Sequence, residues 1–343
     1  MREDLKSFSE EELKEICKNN GFSHYNASQL FAWAYKRRVE NFDLMTDLSK
    51  DAREFLKKNF IFSSLKIQKK ETSKDQTEKF LFGLDDGSTI ETVLIHEGIR
   101  STLCVSSQVG CRFKCAFCMS GKEGLKRDLT VSEIINQYLY VADLIAPKKI
   151  TNIVFMGVGE PLDNFENVLK AIKVLMNSSG VSFVKRRICI STCGLIPQIK
   201  KLTDLNLGIK LSISLHSADE ENRSKIMPVN KKYPLRELMP ALKAFSKKER
   251  YPVTFEYVLI KDLNTSKEDA IKLARLLSGM RGKLNLILYN ASFLKYNPPP
   301  KEQIESFTAE LKKRGVFFTL RKSKGQDIAA ACGQLRASWQ KGG

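Results

Sequence analysis

The stretch Leu103–Lys122, LCVSSQVGCRFKCAFCMSGK, holds four of the eight cysteines of a 343-residue chain. Three of them, Cys111, Cys115 and Cys118, read C-x-x-x-C-x-x-C. Thiolates this close in sequence can surround one soft metal centre. With a fourth cysteine borrowed from elsewhere they would close a tetrahedral zinc site. Alone, they would hold a [4Fe–4S] cube and leave one iron open to a small molecule. A third reading is simply reduced thiols in a core. Spacing alone leaves all three open.

Outward from this loop, strand and helix patterns alternate. Ser101–Ser106 reads as a strand entering the loop, and Thr130–Ile145 as a capped amphipathic helix. Apolar runs beginning at Thr151, Arg187, Gly208, Val253, Lys283 and Val316 read as strands. Helical patterns beginning at Phe165, Ile196, Leu235, Lys267 and Glu302 separate them. Such alternation predicts a parallel sheet covered by helices. Six strand–helix units are too few for a closed eight-fold barrel, so the expected fold is α/β, a partial, splayed (βα)6 TIM-like barrel. A lateral opening in such a barrel suits a large substrate.

Upstream, residues 1–62 carry helical periodicity. They form a small helical module with Lys36, Arg37, Arg38, Lys57 and Lys58 exposed, read either as an RNA-gripping appendage or as a solvated cap. Residues 63–96 shift to short alternating segments. Lys79–Leu84, the turn at Asp85-Asp86-Gly87 and Thr89–His96 predict a β-hairpin extension with Glu91 on its second arm. The barrel is assigned to 97–327 and a C-terminal segment to 328–343.

Barrel enzymes carry their chemistry after the strands, and polar or glycine-rich motifs sit there. Gly157-Val-Gly159-Glu160-Pro161 follows the second strand, where glycines let backbone approach a ligand. Ser191 ends the third strand, Ser214-Leu215-His216 the fourth, and Asn290 the sixth. Each alone reads as a cap or loop residue, and His216 as a hydrogen-bonded core histidine. Together at one sheet edge they outline a polar pocket over the cysteine loop.

The net charge of +18, from 57 Lys and Arg against 39 acidic residues, points to a polyanionic partner, with RNA favoured over a merely solvated basic surface. The charged start has no apolar leader segment, and no apolar run reaches the ~18 residues of a membrane span. A cytoplasmic protein with reduced cysteines is expected.

Several words of the chain resemble one family: IETV at Ile90–Val93, TLCVSSQVGC at Thr102–Cys111, GEPL at Gly159–Leu162, SLHS at Ser214–Ser217 and AACGQL at Ala330–Leu335. The cysteine loop, with Phe117 before its last cysteine, resembles that of the radical S-adenosylmethionine (SAM) enzymes. The whole chain resembles the bacterial RNA methyltransferases of that superfamily, which methylate C2 of adenine in 23S rRNA and tRNA. The resemblance implies one [4Fe–4S] cluster on Cys111, Cys115 and Cys118, with SAM on the fourth iron and two SAM used per turnover. It implies SAM contacts from Gly159, Glu160, Ser191, Ser214, Leu215, His216 and Asn290. Cys332 would carry the methyl carbon as S-methylcysteine, and Glu91 would accept the C2 proton. Cys104 would release the product through a transient disulfide with Cys332. An external electron donor such as flavodoxin with its reductase is implied, and a monomer is expected.

Adenine C2 is an electrophilic, non-acidic carbon that polar displacement from a sulfonium cannot methylate. Two non-cluster cysteines and a carboxylate are what a radical route demands. A related enzyme that methylates C8 of the same adenine and confers antibiotic resistance is the nearer alternative; GEPL and the AACGQL tail sit closer to the C2 enzymes. A zinc-bound, non-catalytic RNA-binding protein is the distant one. Three departures touch the SAM pocket rim and RNA docking: Met119-Ser120 after the last cluster cysteine, Ala291 after Asn290, and the loop ASFLKYNPPP at 291–300.

Overall fold

The computed structural model describes residues 2–290 and 296–335. Residues 291–295 of the loop beginning at Ala291, and residues 336–343 of the C-terminal segment, lie outside the described residues. Ten strands form one sheet: β1 (Lys66–Thr72), β2 (Glu78–Gly83), β3 (Thr89–Glu97), β4 (Arg100–Cys104), β5 (Asn152–Phe155), β6 (Ile188–Thr192), β7 (Lys210–Ser214), β8 (Val253–Leu259), β9 (Gly282–Leu288) and β10 (Phe318–Arg321). Their spatial order follows the sequence, from β10 at one edge to β1 at the other. Pairing is parallel from β4 through β10 and antiparallel from β1 through β4. The edges do not pair, so the barrel is open, as the sequence predicts. The β-hairpin expected beside the barrel is continuous with it: β3 pairs with β4, and Lys66–Thr72 adds a strand that the sequence pattern did not mark.

Helices cover the parallel part. They are α4 (Val131–Leu144), α5 (Phe165–Met176), α6 (Ile196–Leu205), α7 (Glu220–Ile226), α8 (Leu235–Lys248), α9 (Lys267–Leu277) and α10 (Lys301–Lys313), preceded in the N-terminal module by α1 (Glu10–Asn19), α2 (His24–Phe31) and α3 (Lys50–Asn59). Strands such as β8 are buried on nearly every residue, because helices cover one face and the barrel interior the other. Short α7, with the charged sequence EENRSKI, was not expected: it is too short for an apolar period to show.

The N-terminal module builds on a reciprocal cap, with Ser9 Oγ accepting from Glu12 N (3.2 Å) and Glu12 Oε2 accepting from Ser9 N (2.7 Å). Helix α2 runs into a widened turn over Ala32–Arg37 that Arg38 ends in the left-handed region. The module is bolted to the barrel by polar contacts. Buried Lys6 donates to Asn136 Oδ1 on α4 (2.8 Å) and to the Ser63 carbonyl (2.9 Å). Glu10 accepts from Asn177 Nδ2 just after α5 (2.8 Å). Of the five cations expected to be exposed, Lys36, Arg37 and Lys58 are, and Arg38 and Lys57 are half-buried. Arg37 stacks on Trp33, and Arg37, Arg38 and Lys57 form ion pairs with Asp47, Asp143, and Asp43 and Glu54.

Burial alone would raise the Glu10 carboxyl, but hydrogen bonds from Ser28, Asn177, Lys14 and Ser179 outweigh it and hold the group at about 2. A depressed carboxylate stabilises the fold above its ordinary range, and that contribution is lost as pH falls toward 2. Acid titration followed by Trp33 emission should therefore show the module loosening between pH 4.5 and about 2. In Glu10→Gln this pH dependence should shrink; an unchanged titration would remove Glu10 as its source.

Candidate active site

One cavity opens at the C-terminal ends of the parallel strands, where a barrel of this kind keeps its chemistry. Cys111, Cys115 and Cys118 line it, as do Gly159, Glu160, Ser191, Ser214, His216, Asn290 and Cys332. The structure thus gathers ten of the thirteen expected site residues from six separate segments. Leu215 is fully buried outside the lining, its N–H on the Glu256 carbonyl (3.0 Å) and its carbonyl on Arg223 Nε (3.1 Å). Glu91 and Cys104 lie on the neighbouring strands β3 and β4.

The cysteine loop is shaped by backbone contacts. Gln108–Gly110 pairs with Leu125–Asp128, and Cys111 N donates to the Gly124 carbonyl (3.0 Å). Gly110 has φ +79°, and a Cβ there would stand 1.8 Å from the Gly124 oxygen, so only glycine fits. Ala116 N reaches the Ile226 carbonyl of α7 (2.8 Å). The three thiols are soft donors at the rim of one cavity, the set that holds an iron–sulfur cube. Among the described residues no three His, Cys, Asp or Glu side chains converge on a point as a single metal ion requires. Burial pushes the Cys111 thiol up to about 12 and Cys115 well above its ordinary value. Metal loading must therefore release protons.

Beneath the loop, Arg223 is fully buried. Its guanidinium donates to the carbonyls of Leu215 (3.1 Å), Cys193 (2.9 Å) and Ser214 (3.2 Å) and to Asn230 Oδ1 (2.6 Å). No sequence signal marked it. His216, at φ +56°, accepts from Val258 N at Nδ1 (3.1 Å) and meets the Phe117 ring edge-on at 4.6 Å. Burial, then the Arg223 charge, lowers it to about 3, so it is a neutral ring with Nε2–H as donor.

Glu160 is buried, and burial raises its pKa against hydrogen bonds from Thr192, Cys193 and Leu162. Its two oxygens accept from Cys193 N (2.8 Å) and Leu162 N (3.1 Å), which aims the carboxylate and leaves lone pairs for a ligand ammonium. Gly157 and Gly159 lie flat against Ser106 and Gln108, where any Cβ would approach within 2.7 Å and 2.6 Å. Cys193 also lines the cavity, a fifth thiol there that the sequence reading passed over.

The C-terminal segment crosses the mouth as a strap. Asp75 accepts from Gly325 N (3.0 Å), and Asp327 accepts from Ser73 Oγ (2.5 Å) and Lys74 N (3.1 Å). Asn290 Oδ1 accepts from Gln326 (2.7 Å), and its Nδ2 donates to the Cys332 carbonyl (3.2 Å). Met119 N donates to the Gly333 carbonyl (2.8 Å), and Ser120 Oγ to the Leu335 carbonyl (2.8 Å). Cys332 is thereby held with an exposed thiol facing into the cavity. Cys104 is buried; burial, then the neighbouring Cys332, pushes its thiol up. Both are free thiols. Val93 faces Cys104 across the β3–β4 ladder, so Glu91, two residues from Val93, shares the Cys104 face of the sheet. Glu91 is buried and pairs with Lys79 at 3.2 Å. The Asn290 side chain, expected to face SAM, thus spends both of its ends on the strap. Asn290→Ala should leave the barrel folded but raise amide hydrogen exchange at Ala330–Leu335 about tenfold, the loss of roughly 1–1.5 kcal/mol of hydrogen bonding. Unchanged exchange would show that the other contacts hold the segment without it.

Comparison with known proteins agrees with this architecture. The sequence model of the radical SAM superfamily matches residues 105–274, and that of the ribosomal RNA large subunit methyltransferase N-terminal domain matches residues 3–61. The chain is 44% identical over 339 residues to the probable dual-specificity RNA methyltransferase RlmN of Bacillus licheniformis, covering 98% of this chain and 94% of that one. It is 42% identical over 348 residues to the dual-specificity RNA methyltransferase RlmN of Campylobacter fetus, covering 97% of each. The crystal structure of a radical SAM methyltransferase from Sphaerobacter thermophilus superposes with a TM-score of 0.91 at 39% identity, covering 98% of this chain and all of that one. The chain belongs to the RlmN family of dual-specificity RNA methyltransferases, within the radical SAM superfamily.

Proposed function

We propose that this chain methylates C2 of an adenine in 23S rRNA and in tRNA, with Cys332 as the carrier of the methyl carbon. The observation that carries the reading is the strap: it holds an exposed thiol in the cavity that the three loop cysteines and Glu160 line, beside buried Cys104. Superfamily membership brings SAM and an iron–sulfur cluster. Cys111, Cys115 and Cys118 are the residues to hold a [4Fe–4S] cluster. Gly159, Glu160, Ser191, Ser214 and His216 stand around the space left for SAM. Two SAM per turnover, an external reductant of the flavodoxin type, a monomeric state and a cytoplasmic location complete the reading. No helix among the described residues is long and apolar enough to cross a membrane.

The Cys332 thiolate takes the methyl group of one SAM, leaving a thioether and S-adenosylhomocysteine. A cluster held by Cys111, Cys115 and Cys118 would supply, once reduced, the electron for cleaving a second SAM to methionine and a 5′-deoxyadenosyl radical. The Cys332 methyl then gives up a hydrogen atom, and its methylene carbon joins C2 of the base. Glu91 takes the C2 proton, and the oxidised iron–sulfur cluster would take back the electron that the adduct radical gives up. Lys79, 3.2 Å away, orients the Glu91 carboxylate. Cys104 finally attacks the Cys332 sulfur, so that a disulfide forms as the S–C bond breaks and the released carbon is protonated.

The test is anaerobic reconstitution with iron and sulfide, then a single turnover with methyl-labelled SAM and an rRNA fragment. 2-Methyladenosine with 5′-deoxyadenosine is expected. 8-Methyladenosine would reassign the chain to C8 chemistry, and absence of SAM cleavage would sink the enzymatic reading. Cys332→Ala should form no methylated base, whereas Cys104→Ala should accumulate a covalent protein–RNA adduct. Glu91→Gln should slow product formation by about 10²–10⁴, the usual worth of a general base. A rate unchanged by that substitution would reduce Glu91 to a structural ion pair.

A further inference from the structure

Two polar groups of the cavity are left unused by these roles. Glu256, on β8, is 6% exposed and lines the cavity. Its Oε1 accepts from Ser212 Oγ (2.9 Å) and Asn285 Nδ2 (3.1 Å), which pins the carboxylate. Its Oε2 is buried and has no hydrogen-bond partner among the described residues. A bare buried carboxylate oxygen is costly until a donor reaches it. Arg321 ends β10 and is the one Lys or Arg among the described residues that line the cavity. Among the described residues no hydrogen bond or ion pair engages it.

Register fixes how the two stand. Glu256 pairs with Asn285 on β9, and Arg321 pairs with Ile287, two residues further along the same strand. Arg321 is therefore two strands across from Glu256 and nearer the strand ends. Cys332 is close to both. After burial, the largest influences on its thiol are Arg321, which lowers its pKa, and Glu256, which raises it.

We propose that Glu256 and Arg321 read the target base, Oε2 accepting from the exocyclic amine and the guanidinium donating to ring nitrogen N1. This rests on the reading of Cys332 as the methylene carrier, which puts C2 of the base at the sulfur and N1 next to it. A pinned carboxylate excludes a phosphate at this spot by charge. Adenine offers a donor amine where guanine and hypoxanthine offer a carbonyl oxygen, and a carbonyl would set acceptor against acceptor at Oε2. The contact at N1 also serves the chemistry. A methylene radical on sulfur is electron-rich and adds to electron-poor carbon; a cation at N1 draws density from C2 and stabilises the adduct.

The test measures kcat/KM on RNA fragments carrying adenosine, inosine, purine riboside or 1-deazaadenosine at the target position. The wild type should prefer adenosine to each by about tenfold or more, the worth of one charge-assisted hydrogen bond. Glu256→Gln is isosteric and keeps an oxygen for Ser212 and Asn285, but can turn an NH2 toward the amine. It should lose adenosine about tenfold and gain inosine. Arg321→Met should treat adenosine and 1-deazaadenosine alike. SAM affinity of Glu256→Gln, read by equilibrium dialysis, should stay within about twofold.

A wild type indifferent to the four bases overturns the proposal, whatever the variants do. So does a Glu256→Gln that keeps the wild-type ranking, or one that loses SAM affinity with the ranking intact, since the carboxylate would then hold SAM. A wild type that cleaves SAM yet never forms a thioether on Cys332 removes the reading beneath it, and that failure is distinct from a base ranking that does not move.

Discussion

The donation of Met119 N–H to the Gly333 carbonyl joins the loop that carries Cys111, Cys115 and Cys118 to the segment that carries Cys332. The rest of the site depends on that closure, because thiols far apart in the chain must share one cavity. Ser120 and Leu335, 215 residues apart, meet in the next contact along. Asn290 grips Cys332 from the barrel side, and the β1–β2 turn holds the strap through Asp75 and Ser73. Each such bond is worth about 1 kcal/mol net. Their sum fixes a backbone path yet remains small beside a packed core, as befits a segment whose proposed role is to carry a group between reactants.

Under the loop, electrostatics replaces packing. Arg223 is a full positive charge held by carbonyl dipoles and an asparagine rather than by a carboxylate. Such a charge is costly unless its donors are satisfied, and four oxygens satisfy them. The same charge bears on Cys115, whose thiol it lowers against burial, and on His216, which it helps keep neutral. One buried guanidinium thus steadies α7, the cysteine loop and the strand-end histidine together. Removing it would disturb all three, and for that reason it is a positioning residue rather than a reacting one.

Much of this was legible in the sequence, for reasons that differ by element. The parallel strands announce themselves because burial on two faces demands continuous apolar runs, and the long helices because an exposed face leaves a 3.6-residue period. The loop cysteines, Gly159, Glu160 and Cys332 lie in local words whose spacing has a chemical reason. What escaped has no local signature. Helix α7 is under two full turns plus a residue, and Lys66–Thr72 is an edge strand whose side chains are mostly solvated. Arg223 and Glu256 look like ordinary surface charges in a basic, charge-rich chain until the fold buries them, and Arg321 until the sheet sets it at the cavity. The exposure expected of Arg38 and Lys57 failed for the converse reason: Asp143 and Asp43, separated from them in sequence, draw them into ion pairs.

The two non-cluster thiols illustrate how the fold, rather than the residue type, divides labour. Both are free cysteines; burial pushes the Cys104 thiol up, and the surrounding protein, which strips bulk water from a side chain that still opens on the cavity, pushes Cys332 up as well. Cys104 sits in the ladder between β3 and β5, where it cannot move without breaking strand pairing. Cys332 sits on a strap whose side chain is open to the cavity, with Arg321 drawing its thiol back toward ionisation. The accessible thiol with a cation beside it is the one that can meet a methyl donor, because thiolate, not thiol, is the nucleophile. The rigid, buried one can act only on what the strap brings to it. In the proposed cycle that asymmetry sets the order of events: Cys332 must already carry the carbon before Cys104 has anything to attack.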